Sequence, residues 1–287
     1  ELCDAVEESG KVYHYAENYC FSQAAREMTK LYGEGKLGEF QYAEGEYLHN
    51  CEGGWGELTH GSRRHWRNTM DAFYYSTHSF GPILHATRLR PVRVTGFEVP
   101  YNEKTSSMGC DRGYKLVRVF MHEGEGEARE VALENGGIVK SLHGIAPARN
   151  SVWYCMYGSK GKIESGREGL GKGTAEVSIS LDDVCGEEYK TYVPTDELTE
   201  LAETYGHGGS DMFTMRNFIR AINDLSNDGI GVYEALDMHF VGHFAHLSSI
   251  RGGIPVEIPD FRDRAVRDQF RADDTSVMKE DNDFTKN

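Results

Sequence analysis

Residues 16–50 read AENYCFSQAAREMTKLYGEGKLGEFQYAEGEYLHN, and the hydrophobic period changes once within them. Ser22 is placed to accept from the free N–H groups of a helix start. Ala24, Ala25, Met28, Leu31 and Tyr32 follow at 0, 1, 4, 7 and 8, which is one face of that helix. Gly33 and Gly35 end it. From Phe40 to His49 the period is two, as in a half-buried strand. The stretch therefore predicts a capped helix that hands over directly to a strand.

Upstream, Glu1 to Ser9 reads as the second half of an amphipathic helix, Gly10 ends it, and Lys11 to Ala16 reads as a strand. The chain starts at Glu1 with neither Met nor signal peptide. Downstream, residues 50–68 are rich in Gly, His, Arg and Trp and predict a loop. Pro91 to Val99, Tyr114 to His122 and Thr174 to Leu181 are strand-like. Ala128 to Leu133 and Ile138 to Ile145 flank Glu134-Asn135-Gly136-Gly137, a hairpin signal, because Asn and Gly tolerate positive φ. A second hairpin is predicted at Gly158 to Gly161. Ser210 is placed to cap a helix with Met215, Phe218, Ile219 and Ile222 at 0, 3, 4 and 7, and Val232 to Ser249 predicts another. Beyond residue 268 the chain is a charged tail. Seven or eight strands with helices gathered at the two ends give an α+β class: a large, open, mostly antiparallel sheet with helices packed on one face.

Composition narrows the function. With 31 Lys+Arg against 46 Asp+Glu the net charge is −15, which argues against a nucleic-acid partner. There is no run of about 18 apolar residues, so no membrane span is expected. The length of 287 allows one large domain or two ordinary ones. The six cysteines (Cys3, Cys20, Cys51, Cys110, Cys155 and Cys185) contain no C-x-x-C pair, so neither a zinc site nor a disulfide scaffold is expected. Reduced thiols and a cytoplasmic location are the expectation.

Tyr74-Tyr75-Ser76-Thr77-His78-Ser79-Phe80-Gly81-Pro82 concentrates the chemistry. Tyr, Ser, Thr and His side by side are costly to bury without partners, and His is the natural acid or base near neutral pH. Glu17-Asn18-Tyr19 follows a strand and precedes a capped helix, which suits either ligand contact or capping. Tyr205-Gly206-His207-Gly208-Gly209-Ser210-Asp211 opens a helix, which suits either an anionic or hydroxylated ligand or a glycine-rich connection. Trp66-Arg67 offers an aromatic face beside a guanidinium, as sugar sites do. His239, His243 and His246, at 0, 4 and 7 of a helix, lack the carboxylate of a metalloprotease motif, and packed helix histidines are the expectation. Gly169 to Gly173 lacks the spacing of a dinucleotide fingerprint and reads as a turn.

Taken in order, residues 16–50, THSFGPIL, YGSKGKIE, YGHGGSD and GGIPVEIPDFR resemble the C-terminal domain of the glucose–fructose oxidoreductase/inositol dehydrogenase family, over about residues 1–268. Within it the chain looks most like the NAD-dependent glycosidases of glycoside hydrolase family 109. Their pattern falls here at Glu17-Asn18, Tyr47-Leu48-His49, Trp66-Arg67, Tyr75 to His78 with Gly81-Pro82, and Gly206 to Gly209. The resemblance implies NAD or NADP as cofactor, touched by Asn18 and Tyr75. It implies a sugar or cyclitol substrate held by Glu17, Tyr47, His49, Trp66, Arg67, Ser76, Thr77, His207 and Asp211. His78 or Tyr75 would take the hydroxyl proton, and no metal is implied. It also implies a homodimer or homotetramer built through the open sheet.

Two positions depart from the pattern: Phe21 stands where the glycosidases carry Tyr, and Tyr74 where typical dehydrogenases carry Asp. Neither the family's Glu-Lys-Pro segment nor its glycine-rich βαβ motif occurs in the chain. Residues 1–16 are accordingly expected to be the last helix and strand of an N-terminal Rossmann domain, and 17–268 the substrate-binding domain. Three activities follow as alternatives: a sugar oxidoreductase, a glycosidase working by transient oxidation and elimination, or a non-catalytic binding module.

Overall fold

The computed structural model describes residues 1–62, 64–69, 72–99, 114–122, 136–145, 150–167, 174–186, 188–226 and 228–273. The strand expected at 128–133, the Glu134-Asn135 half of its hairpin turn, and the glycines of 169–173 lie outside them.

Nine strands form one sheet among the described residues: β1 (Phe40–His49), β2 (Arg90–Val99), β3 (Tyr114–His122), β4 (Ile138–Ile145), β5 (Ser151–Gly158), β6 (Gly161–Ser165), β7 (Val177–Leu181), β8 (Lys190–Tyr192) and β9 (Val256–Glu257). Their order is β8-β7-β6-β5-β1-β4-β3-β2-β9. Neighbours run antiparallel except β1 and β4, which pair in parallel with Gly45 opposite Ser141 and Tyr47 opposite His143. The expected α+β class and largely antiparallel sheet are both present. The parallel pair places β1, a strand from early in the chain, between two strands formed some hundred residues later.

The long helices are α1 (Leu2–Ser9), α2 (Gln23–Gly33), α3 (Thr77–Thr87), α4 (Ser210–Ile222) and α5 (Val232–Ile250), followed by the short α6 (Arg264–Gln269). Ser22 caps α2 by accepting from Ala25 N–H at 3.3 Å, as its position predicts. α3 lies on β1, β4 and β5, and α5 on β2. Two glycines permit this approach. A Cβ at Gly45 would fall on the Ser79 carbonyl oxygen of α3, and one at Gly96 on the Ala245 carbonyl oxygen of α5. The buried alternate positions of β1, Ala43, Gly45 and Tyr47, face these helices. The opposite face carries paired polar groups, among them Glu44 with Lys140 and Arg167 with Glu46.

Three local expectations are corrected. Lys11 to Ala16 is not a ladder strand: its backbone bond to the body is Tyr15 N–H to Ile230 C=O at 2.8 Å, and alternation without a neighbouring strand makes no sheet. Residues 50–68 contain short helical turns at Glu52–Gly54, Trp55–Leu58 and Trp66–Thr69 rather than plain loop. Ser210 does not cap α4. It is the first helical residue, its hydroxyl donates back to the His207 carbonyl at 3.1 Å, and Gly209 takes the cap position with φ of 92°.

Residues 1–16 are tied to the far end of the chain by Arg267–Glu7 and Arg271–Asp4 pairs, each at 2.7 Å. Among the described residues no helix is long and apolar enough to cross a membrane. Among the described residues no two cysteines are joined in a disulfide.

Candidate functional site

The site forms where four separated segments meet: the turn Asn18–Phe21, the end of β1, the start of α3 and the start of α4. Glu17 organises it. Its carboxylate accepts from Tyr19 N–H at 3.3 Å, capping the turn, and from His78 Nδ1–H at 2.6 Å. The Glu17 side chain is 1% exposed and that of His78 18%, so the carboxylate is sealed while the imidazole reaches the surface. A proton held on Nδ1 leaves Nε2 as the lone-pair nitrogen of the neutral ring.

The α3 sequence aims His78 from behind. Pro82 has no N–H, so the helix cannot use the His78 carbonyl in its i to i−4 ladder. Tyr154 O–H of β5 takes that carbonyl instead, at 2.6 Å. Gly81 keeps this turn slim: a Cβ there would press on the Glu17 side chain at 3.2 Å.

Three tyrosines surround the imidazole, with ring centroids 4.8 Å (Tyr19), 4.7 Å (Tyr47) and 4.9 Å (Tyr75) from that of His78. Burial first of all raises the pKa of each phenol, and for Tyr47 strongly. They are therefore neutral donors at physiological pH, and His78 is the group of the cluster suited to accept a proton. His49, at the end of β1, lies against Tyr47 at 5.7 Å and has Cys51 Sγ 3.0 Å from its Nδ1. Burial, then the neighbouring His78 and His207, lower the His49 pKa.

On the other side Asn18 Nδ2 donates to Asp211 at 3.2 Å, and His207 Nδ1–H donates to the same carboxylate at 2.9 Å. His207, Gly208 and Gly209 have φ of 53°, 65° and 92°, a left-handed run that turns Asp211 back onto Asn18. The Arg67 guanidinium stacks 4.1 Å over the exposed Trp66 ring, and its charge lowers the Tyr75 pKa against the larger effect of burial.

Glu17, Asn18, Tyr47, His49, Tyr75, His78, His207 and Asp211 are thus gathered, with Trp66-Arg67 beside them. Ser76 and Thr77 are not part of the gathering: the Ser76 hydroxyl is buried beside Gly242 of α5, and the buried Thr77 side chain lies beside Tyr15. Sequence reasoning did not single out the ring of Tyr19, the hydroxyl of Tyr154, or Cys51 as a partner of His49. Only Pro82, by freeing a carbonyl, signals that an outside donor is needed.

Tyr74 points the other way. Its hydroxyl is hydrogen-bonded to His243 Nδ1 at 3.0 Å, and His239, His243 and His246 ring it at 6.0, 5.6 and 6.2 Å. The carboxylate partner of His78 is consequently Glu17. Among the described residues no group of three His, Cys, Asp or Glu side chains is arranged to hold a metal ion.

Burial, then His239 and His246, push the His243 pKa down to about 4. A group depressed from 6.5 in this way contributes nothing to pH dependence above 6.5, and destabilises the fold progressively between 6.5 and 4. The loss reaches about 3 kcal/mol. His243→Phe is expected to flatten that acid-side decline in urea melts, at the expense of the Tyr74 bond at pH 8.

Residues 185–267 match the family model for the glycosyl hydrolase 109 C-terminal domain. The alpha-N-acetylgalactosaminidase of Tannerella forsythia is 23% identical over 91% of this chain and 62% of its own length. The chain spans about three fifths of the length of the curated relatives it matches. Among solved structures, an oxidoreductase from Sinorhizobium meliloti superposes with a TM-score of 0.66 at 14% identity, over 89% of this chain and 67% of that one. A levoglucosan dehydrogenase, solved as a complex with NADH and levoglucosan, gives 0.65 at 16% identity over 90% and 69%. This chain has the C-terminal-domain fold of oxidoreductases of the glucose–fructose oxidoreductase and inositol dehydrogenase type, and its sequence similarity is to the glycosyl hydrolase 109 proteins.

Proposed function

We propose that this chain holds a sugar or cyclitol beside a nicotinamide cofactor and accepts the proton of the hydroxyl that is oxidised. The observation that carries the reading is the sealed Glu17–His78 pair, 2.6 Å long, set among three neutral tyrosines. His78 Nε2 takes the hydroxyl proton and Glu17 stabilises the resulting imidazolium. The tyrosines and Arg67 donate to the remaining hydroxyls.

The residues present fit the reactive end of a nicotinamide. Asn18 spends its Nδ2 on Asp211 and keeps its amide oxygen as an acceptor, and Tyr75 offers a phenol that stays protonated. When bound, NAD or NADP supplies the hydride acceptor.

A second reading is favoured by the glycosyl hydrolase 109 similarity: a glycosidase in which oxidation is transient and a glycosidic bond is broken. The two differ in stoichiometry. The protein carrying this chain, given NAD or NADP and sugars, accumulates one reduced cofactor per sugar as a dehydrogenase. As a glycosidase it releases an aglycone, such as 4-nitrophenol from an N-acetylgalactosaminide, with no net reduction. Neither signal across a panel of sugars and glycosides would overturn both.

A further inference from the structure

We propose that Cys51 is a positioning residue that fixes the His49 imidazole in its Nε2–H form, so that His49 and His78 offer a sugar hydrogen bonds of opposite sense. The buried thiol of Cys51 lies at the end of β1, with Sγ 3.0 Å from His49 Nδ1. An imidazole nitrogen is a strong acceptor and a thiol sulfur a weak one, so the favourable arrangement has S–H donating to Nδ1. Burial and the two neighbouring histidines keep the His49 ring neutral. A neutral ring carries one proton, and with Nδ1 accepting, that proton is on Nε2.

His78 is the mirror case. Its Nδ1–H donates to Glu17, so in the neutral ring Nε2 is the nitrogen with the lone pair. Both rings pack against Tyr47, at 5.7 and 4.7 Å. Among the described residues, neither Nε2 has a protein partner. One donor and one acceptor flanking a single tyrosine suit two hydroxyls on adjacent carbons. One hydroxyl gives its proton to His78, and the oxygen of the other accepts from His49. The substrate class is therefore a sugar with a vicinal diol at the reacting position. This last step rests on the sugar-binding reading, whereas the tautomer assignment does not.

Long-range 1H–15N correlation NMR of the histidine-labelled protein tests the assignment without any turnover. His49 is expected as the Nε2–H form and His78 as the Nδ1–H form. Cys51→Ala is expected to turn the His49 signals into those of a tautomer mixture while His78 is unchanged, and Cys51→Ser to restore the Nε2–H form. An Nδ1–H form of His49 in the native protein, or signals indifferent to Cys51→Ala, overturns the proposal. Where turnover is measurable, Cys51→Ala is expected to raise KM about tenfold for a vicinal-diol sugar, the scale of one hydrogen bond. It should leave KM unmoved for the analogue deoxygenated at the neighbouring carbon. Equal effects on both substrates would overturn the diol assignment. Absence of any turnover beside the expected spectra would sink the oxidation reading and leave the tautomer standing.

Discussion

His78→Ala is expected to lower sugar turnover by about 10²- to 10⁴-fold, the usual contribution of a positioned general base, with KM changed far less. The reason is geometric. His78 is the one member of the cluster that both reaches the surface and is backed by a sealed carboxylate. Glu17→Gln keeps an acceptor near Nδ1 and removes only the charge, so its loss should be smaller. Glu17→Ala removes both and should fall between the two. Removing His78 alone also strands a buried carboxylate, which destabilises the fold. The double variant His78→Ala/Glu17→Gln relieves that, and if it recovers stability without recovering turnover, the two roles are separated. Unchanged kcat in His78→Ala, measured on a protein with native melting behaviour, would remove His78 from the chemistry.

The second large effect lies in the scaffold. Gly45→Ala and Gly96→Ala are each expected to cost more than about 3 kcal/mol, at the upper end of overpacking, because the added methyl meets backbone carbonyl oxygens of α3 and α5 rather than movable side chains. Gly53→Ala, where nothing lies within 4 Å, is the matched control and should stay within about 0.5 kcal/mol. Urea midpoints measure all three. Comparable midpoints for Gly45→Ala and Gly53→Ala would mean that α3 does not depend on close approach to β1. Loss at Gly45 should also damage the site, since Ser79 follows His78 directly and lies over Gly45.

The elements with strong periodicity were legible. β1, β2, β3 and α5 stand within a residue or so of where their apolar spacing puts them, and Ser22 caps the helix it precedes. What sequence could not show is who sits beside whom. Alternation at Lys11 to Ala16 has the chemistry of a strand, yet a strand also needs a partner. Nothing local says that β1 pairs in parallel with β4.

The site divides in the same way. Glu17, Tyr47, His49, Tyr75 and His78 stood out by residue type and by family pattern. That the Glu17 carboxylate serves His78 is a contact across 61 residues, beyond the reach of spacing. Ser76 and Thr77 share the motif with His78, but successive helix positions point about 100° apart, and these two turn toward α5 and Tyr15. The Tyr74 position, where the resemblance leads to an expected Asp, follows the same logic: its hydroxyl bonds His243 of α5, and the carboxylate beside His78 is Glu17.

The parallel pairing of β1 with β4 also shapes how the molecule must be made. During synthesis β1 emerges early, and both its edges stay unpaired until residues 138–158 have followed. Its two partners come from sequence separations near one hundred, so most of the loop-closure entropy is spent before the central ladder returns any stabilisation. Tyr47 and His49 ride on that strand. Their side of the pocket is therefore assembled late, and a nascent chain shorter than about residue 158 carries an open, edge-exposed β1 that a chaperone or an aggregating neighbour can pair with first.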